Sequence, residues 1–242
     1  MKKNNTYIFI YSTILVVLVA TLLALAATVL KPFQQKNLEI AKKLEILHSV
    51  DKGWGASSAD SKNQYVDDEY ARYITESFAV DYQGIRVENR DAFGIVLDKE
   101  MDKDSTARAF PVFICHQDDG SLNYIFPVFG KGLWGPIWGY VALKEDMNTI
   151  AGVFFDHQGE TPGLGAEINT RWFQEPFTGK KMFSSEGRFV SVFIAKAGEP
   201  KDPGHAVDAI SGGTITSKGL QTTIFESISN YLPFIKQFKQ QQ

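Results

Sequence analysis

From Tyr7 to Leu30 the chain carries no charged residue, and Ile14 to Leu25 is almost entirely aliphatic. Twenty-four such residues in a helix reach about 36 Å, enough for a hydrocarbon core of about 30 Å. Tyr7 and Tyr11 stand near one end, where amphipathic rings favour the interface. Lys31 and Pro32 end the run with a charge that can snorkel and a ring that fits poorly inside a helix. The segment admits two readings. Its length favours a retained membrane anchor. Lys2 and Lys3 before it, with the small-x-small Ala24-Leu25-Ala26 within it, fit a cleaved signal peptide. Both readings export the rest of the chain. Flanking charge is divided, because Lys2 and Lys3 favour an inside N-terminus whereas Lys31, Lys36, Lys42 and Lys43 favour the reverse. Long domains translocate largely regardless of their charge, so the exported reading is taken.

The remainder is ordinary in composition. With 44 % hydrophobic residues and a net charge of −3, the chain is too apolar and too weakly charged to be disordered. It lacks the several long apolar runs of a polytopic membrane protein and the basic excess of a nucleic-acid binder. Cys115, the single cysteine, can form no intramolecular disulfide, and its apolar neighbours mark it as a buried residue. His48, His116 and His205 have no metal-ligand spacing with Cys115 or with one another, so no metal is expected.

Periodicity gives a coarse map. Residues 33–50 read as a helix continuing the membrane segment, with Ile40, Leu44 and Leu47 on one face. Residues 51–66 read as a loop and Tyr70 to Glu76 as a short helix. Short apolar or alternating runs predict strands at Phe78 to Tyr82, Phe110 to Cys115, Leu122 to Val128, Gly139 to Leu143, Ile150 to Phe155 and Arg188 to Ala195. Asp118-Asp119-Gly120 predicts a hairpin turn between two of them. A short helix is expected over Ile168 to Gln174, and a longer one over Ser217 to Tyr231, where Leu220, Ile224, Ile228 and Tyr231 share a face and Pro233 lies beyond. The fold class is α+β: an N-terminal transmembrane helix, then a mostly antiparallel sheet with flanking helices. The expected division is an anchor over 1–32, a membrane-proximal segment over 33–110 and a ligand-binding domain over 111–235.

Three segments carry chemistry. In Asp208-Ala209-Ile210-Ser211-Gly212-Gly213-Thr214-Ile215-Thr216-Ser217, two glycines permit a tight turn, hydroxyls cluster around them, and a helix begins at about Ser217. A glycine-rich turn feeding a helix exposes unpaired N–H groups and the positive end of the macrodipole, a seat for phosphate. It equally fits a plain loop with Thr216 or Ser217 as N-cap. Neither a P-loop nor a GxGxxG fingerprint is present. His157-Gln158-Gly159-Glu160-Thr161-Pro162-Gly163-Leu164-Gly165 forms an irregular loop after a strand, or a simple turn. Gly130-Lys131-Gly132-Leu133-Trp134-Gly135-Pro136-Ile137-Trp138-Gly139 sets two indoles among glycines, able to stack on a flat ring or to pack in a core.

An N-terminal anchor, then Gly-Leu-Trp-Gly, His-x-x-Glu-Thr-Pro-Gly-Leu-Gly and Ser-Gly-Gly-Thr-x-Thr-Ser in that order, resembles the FMN-binding domain family of the Na+-translocating NADH:quinone reductase C subunit and the Rnf G subunit. The resemblance covers essentially the whole chain and is strongest over about 120–231. It implies an FMN esterified through its phosphate to the last Thr of an Asp-x-x-Ser/Thr-Gly-Ala-Thr motif. By position, that motif's acidic residue is Asp208, its hydroxyl is Ser211 and its acceptor is Thr214. Thr216 is the competing hydroxyl. Gly213 stands where the family usually has Ala. The resemblance adds Gly212, Gly213, Glu160, Thr161, Gly163, Leu164, Gly165 and Trp134 as flavin neighbours, with weaker claims for Trp138, His157, Lys218 and Gln221. It further implies electron carriage with no catalytic side chain of the chain's own, attachment by a separate flavin transferase using FAD, partner subunits, membrane lipid and no nucleic acid. The expected location is the bacterial inner membrane, with a cytoplasmic N-terminus and a periplasmic flavin domain. Length before the flavin domain favours the reductase C subunit over the Rnf-type alternative.

Overall fold

The computed structural model describes residues 5–196 and 202–241, so Lys2 and Lys3 lie outside the described residues. The chain divides into two units, residues 1–42 and 43–242. The first is helical throughout its described part. It belongs to α1 (Asn5–His48), whose most apolar stretch has a mean hydropathy of 2.7, long and apolar enough to cross a membrane. Thr13, Thr21 and Thr28 return their hydroxyls to the carbonyls of Phe9, Val17 and Ala24 at 2.8–2.9 Å. None of these three hydroxyls is thus left without a partner. Pro32 lies inside α1 rather than ending it.

The second unit is built on a six-stranded antiparallel sheet with spatial order β2-β1-β3-β4-β5-β6. Its strands are β1 (Ile74–Val80), β2 (Arg86–Val87), β3 (Phe110–His116), β4 (Leu122–Lys131), β5 (Pro136–Lys144) and β6 (Ile150–His157). From β3 to β6 the sheet is a meander. Asp118-Asp119-Gly120 makes its first turn, with Gly120 at φ 84° and Gln117 N–H on Ser121 O at 2.9 Å. Asp118 also accepts from Lys52 (2.5 Å), Arg72 (3.2 Å) and the Tyr73 hydroxyl (3.0 Å). Phe113, Cys115, Ile125 and Ala142 are buried, as are Val112, Tyr124, Phe126 and Val141 on the alternate positions, so both faces of the sheet are covered. Burial pushes the Cys115 thiol up to about 12, leaving an inert small apolar group.

Several boundaries differ from those expected. α2 (Lys62–Tyr73) occupies part of the expected loop, and β1 begins at Ile74 inside the expected helix. The β-branched pair Ile74 and Thr75 fits the pleated edge beside β3 better than a last helical turn. Only Phe193–Ala195 of the expected 188–195 strand is regular, because Ser191 turns into the left-handed region at φ 60°. Those three residues (β7) pair in parallel with β8 (Ala206–Asp208). Two short helices complete the connections: α3 (Leu97–Met101) before β3, and α4 (Arg171–Gln174) after β6, the latter preceded by a 3-10 turn over Gly165–Asn169.

The last helix, α5 (Thr214–Gln241), starts three residues earlier than the sequence predicts and contains Pro233. A proline there costs about 3 kcal/mol in an isolated helix. Burial of Tyr231, Phe234 and Ile235 around it carries the helix through. α5 lies antiparallel along β4 through a four-residue repeat. Gly219 meets the Lys131 carbonyl, Thr223 meets Gly130, and Ser227 Oγ accepts from Phe129 N–H at 3.2 Å. Tyr231 donates to Pro111 O at 3.1 Å, its ring 4.9 Å from that of Phe126. Leu220, Ile224 and Ile228 fill the core beside this row.

Two measurements check this architecture. Removing residues 1–32 leaves a soluble domain, seen as a single folded species by size-exclusion chromatography and circular dichroism; aggregation would contradict the division. Within that domain, Ile228→Ala lowers unfolding free energy by about 2–5 kcal/mol in urea titration.

Candidate flavin site

The β4–β5 hairpin ends in Gly132-Leu133-Trp134-Gly135, closed by Gly132 N–H on Gly135 O at 2.8 Å. Ile137 pairs with His157, so the loop leaving β6 starts beside that hairpin tip. In that loop the Thr161 carbonyl accepts from Leu164 and Ala166, both at 3.1 Å, and Gly163 takes φ 73°. β8 leads into a turn in which Gly213 N–H meets Ile210 O at 3.0 Å and Gly212 takes φ 74°. The α5 seam, through Gly219 against Lys131, brings this turn to the same place. Three segments remote in sequence therefore converge because the strand order and the helix register leave them no other position.

Their junction is a cleft of about 270 Å³ lined by Leu133, Trp134, Glu160, Thr161, Leu164, Gly165, Gly212, Gly213, Thr214, Ile215 and Thr216. Of the residues singled out in the sequence, Trp134, Glu160, Thr161, Leu164, Gly165, Gly212, Gly213 and Thr214 are on it. Ser211 is exposed in the turn just outside, and Gly163 shapes the second loop without lining the cleft. Leu133 and Ile215 join the lining without having been singled out; only their neighbours in the motifs signal them. With Trp134 (69 % exposed) and Leu164 they form an apolar rim open to solvent. Trp138 is half-buried within β5. His157 Nδ1 accepts the Glu160 N–H at 3.2 Å, a structural bond at the strand end. Lys218 and Gln221 line a second cleft of about 440 Å³, which shares Thr214 with the first.

The hydroxyls of the turn have unlike surroundings. Helix α5 begins at Thr214, and its first intrahelical bond is Ser217 N–H on Gly213 O at 2.9 Å. Neither Thr216 nor Ser217 is therefore an N-cap. Ser217 is buried and accepts from Ile210 N–H at 3.2 Å. Thr216, 1 % exposed, donates to Glu160 Oε2 at 2.5 Å. Glu160 is itself buried, and its Oε1 accepts from Trp134 N–H at 2.9 Å. Thr214 is exposed. Gly213 packs so that an added Cβ would lie 3.0 Å from Ile210 Cγ2 and 3.2 Å from the Leu164 carbonyl carbon, contacts that an Ala there would meet only if these neighbours gave by a few tenths of an ångström. Among the described residues no cluster of His, Cys, Asp and Glu could hold a metal ion.

Known proteins share this geometry's sequence frame. Residues 132–229 match the model of the FMN-binding domain family, a span that contains all three loops. The C subunit of Na(+)-translocating NADH-quinone reductase from Neisseria meningitidis serogroup A is 33 % identical, over 94 % of this chain and 93 % of that protein. The chain belongs to this C-subunit family. The Vibrio vulnificus C subunit is 30 % identical over 92 % of the chain and 89 % of its own length. The crystal structure of the Parabacteroides distasonis C subunit superposes with a TM-score of 0.75 at 41 % identity, covering 85 % of this chain and 96 % of that one. Membership agrees with the α+β architecture and with an FMN-binding domain whose turn, hairpin tip and loop form the cleft.

At the floor of that cleft an added Cβ on Gly165 would collide with Thr216 Oγ1 and stand 2.5 Å from Glu160 Oε2. Gly165→Ala consequently lowers stability by about 1–3 kcal/mol, measurable as a fall in the chemical-denaturation midpoint. An unchanged midpoint would show that the floor can relax freely.

Proposed function

We propose that this chain is the C-type subunit of a Na+-translocating NADH:quinone reductase and carries electrons through an FMN joined by its phosphate to Thr214. One observation carries the reading. Of the hydroxyls in the turn, Thr214 alone is both exposed and on the cleft, within the span matched to the FMN-binding domain. The residues present suit the group. N–H groups of the first turn of α5 have no intrahelical acceptor and lie at the positive end of a 28-residue helix, a favourable place for a phosphate's negative charge. Leu133, Trp134, Leu164 and Ile215 offer apolar surface to the flat ring. Ser211, Gly212 and Gly213 shape the turn behind the phosphate, while Glu160, Thr161, Gly163 and Gly165 hold the loop that bears Leu164. Bound FMN supplies the electron-transfer chemistry, and the protein supplies position and electrostatics.

Thr214 needs no activating base within its own fold, because a separate flavin transferase delivers the FMN half of FAD. α1 anchors the chain in lipid, with the N-terminus cytoplasmic and the flavin domain outside the bacterial inner membrane, where a covalent tether prevents loss of the cofactor. Other subunits of the complex supply NADH oxidation and quinone reduction. The names carried by the relatives favour this complex over an Rnf-type one.

Coexpression with flavin transferase tests the assignment. On a denaturing gel under ultraviolet light the wild-type band fluoresces and Thr214→Ala is dark, and peptide mass spectrometry finds one FMN on Thr214. A dark wild type, or a fluorescent Thr214→Ala, would sink the assignment.

A further inference from the structure

Thr214 and Thr216 border the same cleft, one at its rim and one at its floor. Both are secondary hydroxyls of equal intrinsic reactivity, so what separates them is access. Over Thr216 lies the Glu160 carboxylate, joined to it at 2.5 Å and fixed on its other oxygen by Trp134 N–H at 2.9 Å. Behind it lies Gly165, where even a Cβ would collide with the Thr216 oxygen. We propose that Glu160 is the residue that selects the acceptor: it caps Thr216 and leaves Thr214 the one hydroxyl open to the phosphoryl donor. This rests on the reading that Thr214 carries the flavin, and it assigns the choice to a contact between two loops rather than to position in the turn alone.

Attachment forms an Oγ–P bond to the phosphorus on the riboflavin side of the FAD pyrophosphate. The P–O bond to the AMP phosphate breaks, AMP leaves with the bridging oxygen and its electron pair, and the hydroxyl proton passes to a base of the transferase or to solvent. Nothing is oxidised or reduced. In-line attack requires the oxygen to approach phosphorus to about 3–3.5 Å with a lone pair aligned. Thr216 is 1 % exposed, and its oxygen faces Glu160 and Gly165. A carboxylate at that point also repels the pyrophosphate.

Removing the cap should therefore create a second acceptor. The full chain is coexpressed with flavin transferase as Thr214→Ala, as Glu160→Ala, and as the two double variants that join Thr214→Ala to Glu160→Ala or to Glu160→Gln. Thr214→Ala is dark. Glu160→Ala with Thr214→Ala gains a fluorescent band, and its tryptic peptide gains one FMN on Thr216. Glu160→Gln with Thr214→Ala stays dark, because the amide still covers Thr216: its oxygen accepts from Trp134 N–H and its NH2 donates to the Thr216 hydroxyl oxygen. If the Glu160→Ala double variant is dark while Glu160→Ala alone carries flavin on Thr214, the fold is intact and the proposal is overturned. If Glu160→Ala alone carries none, Glu160→Ser, which removes the cap from Thr216 but keeps a polar group near Trp134 N–H, is read in the same way with Thr214→Ala. Should neither single variant accept flavin on Thr214, the contact serves attachment as a whole and selection by Glu160 is refuted. Wild-type flavin found on Thr216 would instead refute the Thr214 reading itself.

Discussion

Helix α5 rests on strand β4 through small and polar contacts repeated every four residues, from Gly219 over Lys131 to Tyr231 on the Pro127 carbonyl. Apolar packing alone would let a helix slide along a sheet at little cost, since hydrophobic burial has no direction. This row has direction. The Thr223 side chain occupies the space that a Cβ on Gly130 would need, so a larger residue at either point would lift the helix. Ser227 and Tyr231 place hydroxyls on backbone groups that would otherwise be buried without all their partners. Together these contacts fix the axial position of α5, and with it the position of Thr214.

A fixed helix matters because the cleft is assembled from three loops that share no sequence neighbourhood. The hairpin tip joins the longest strand pair of the sheet, and the loop after β6 leaves from the neighbouring strand. Sheet register alone brings these two together. The third wall arrives with α5, and Glu160 closes the junction by bonding to both other segments. A buried carboxylate with two donors is satisfied; with either donor missing it would impose a desolvation cost. The junction is thus tight only when all three loops are in register.

The same causes decide what is legible in the sequence. The strands of the meander are visible because short apolar runs alternate with turn residues, and Asp118-Asp119-Gly120 states its own geometry. The ends of α5 are not visible. Gly212, Gly213 and Pro233 all argue locally against helix, yet the helix begins immediately after the first two and runs through the third, because packing against β4 outweighs local preference. Ile74 likewise starts a strand where Cys115 lies opposite it, a pairing the local sequence does not state. Most of the cleft residues emerge from the motifs, whereas Ile215 and Leu133 are signalled only by their neighbours within them. Least legible of all is the difference between Thr214 and Thr216, which depends on Glu160, a residue 56 positions away from Thr216.

That difference also sets how the proposed tether would sit at the start of the helix. Residues two apart on a helix point to nearly opposite sides. With Thr216 held inward by Glu160, Thr214 is directed outward at the end where unpaired N–H groups and the macrodipole favour an anion. The inward bond and the outward hydroxyl are two consequences of one rotation of the first turn. A phosphate held there would be attached to the element of the fold whose axial position is most firmly set, and the ring beyond it would meet a rim whose three loops that same helix brings into register.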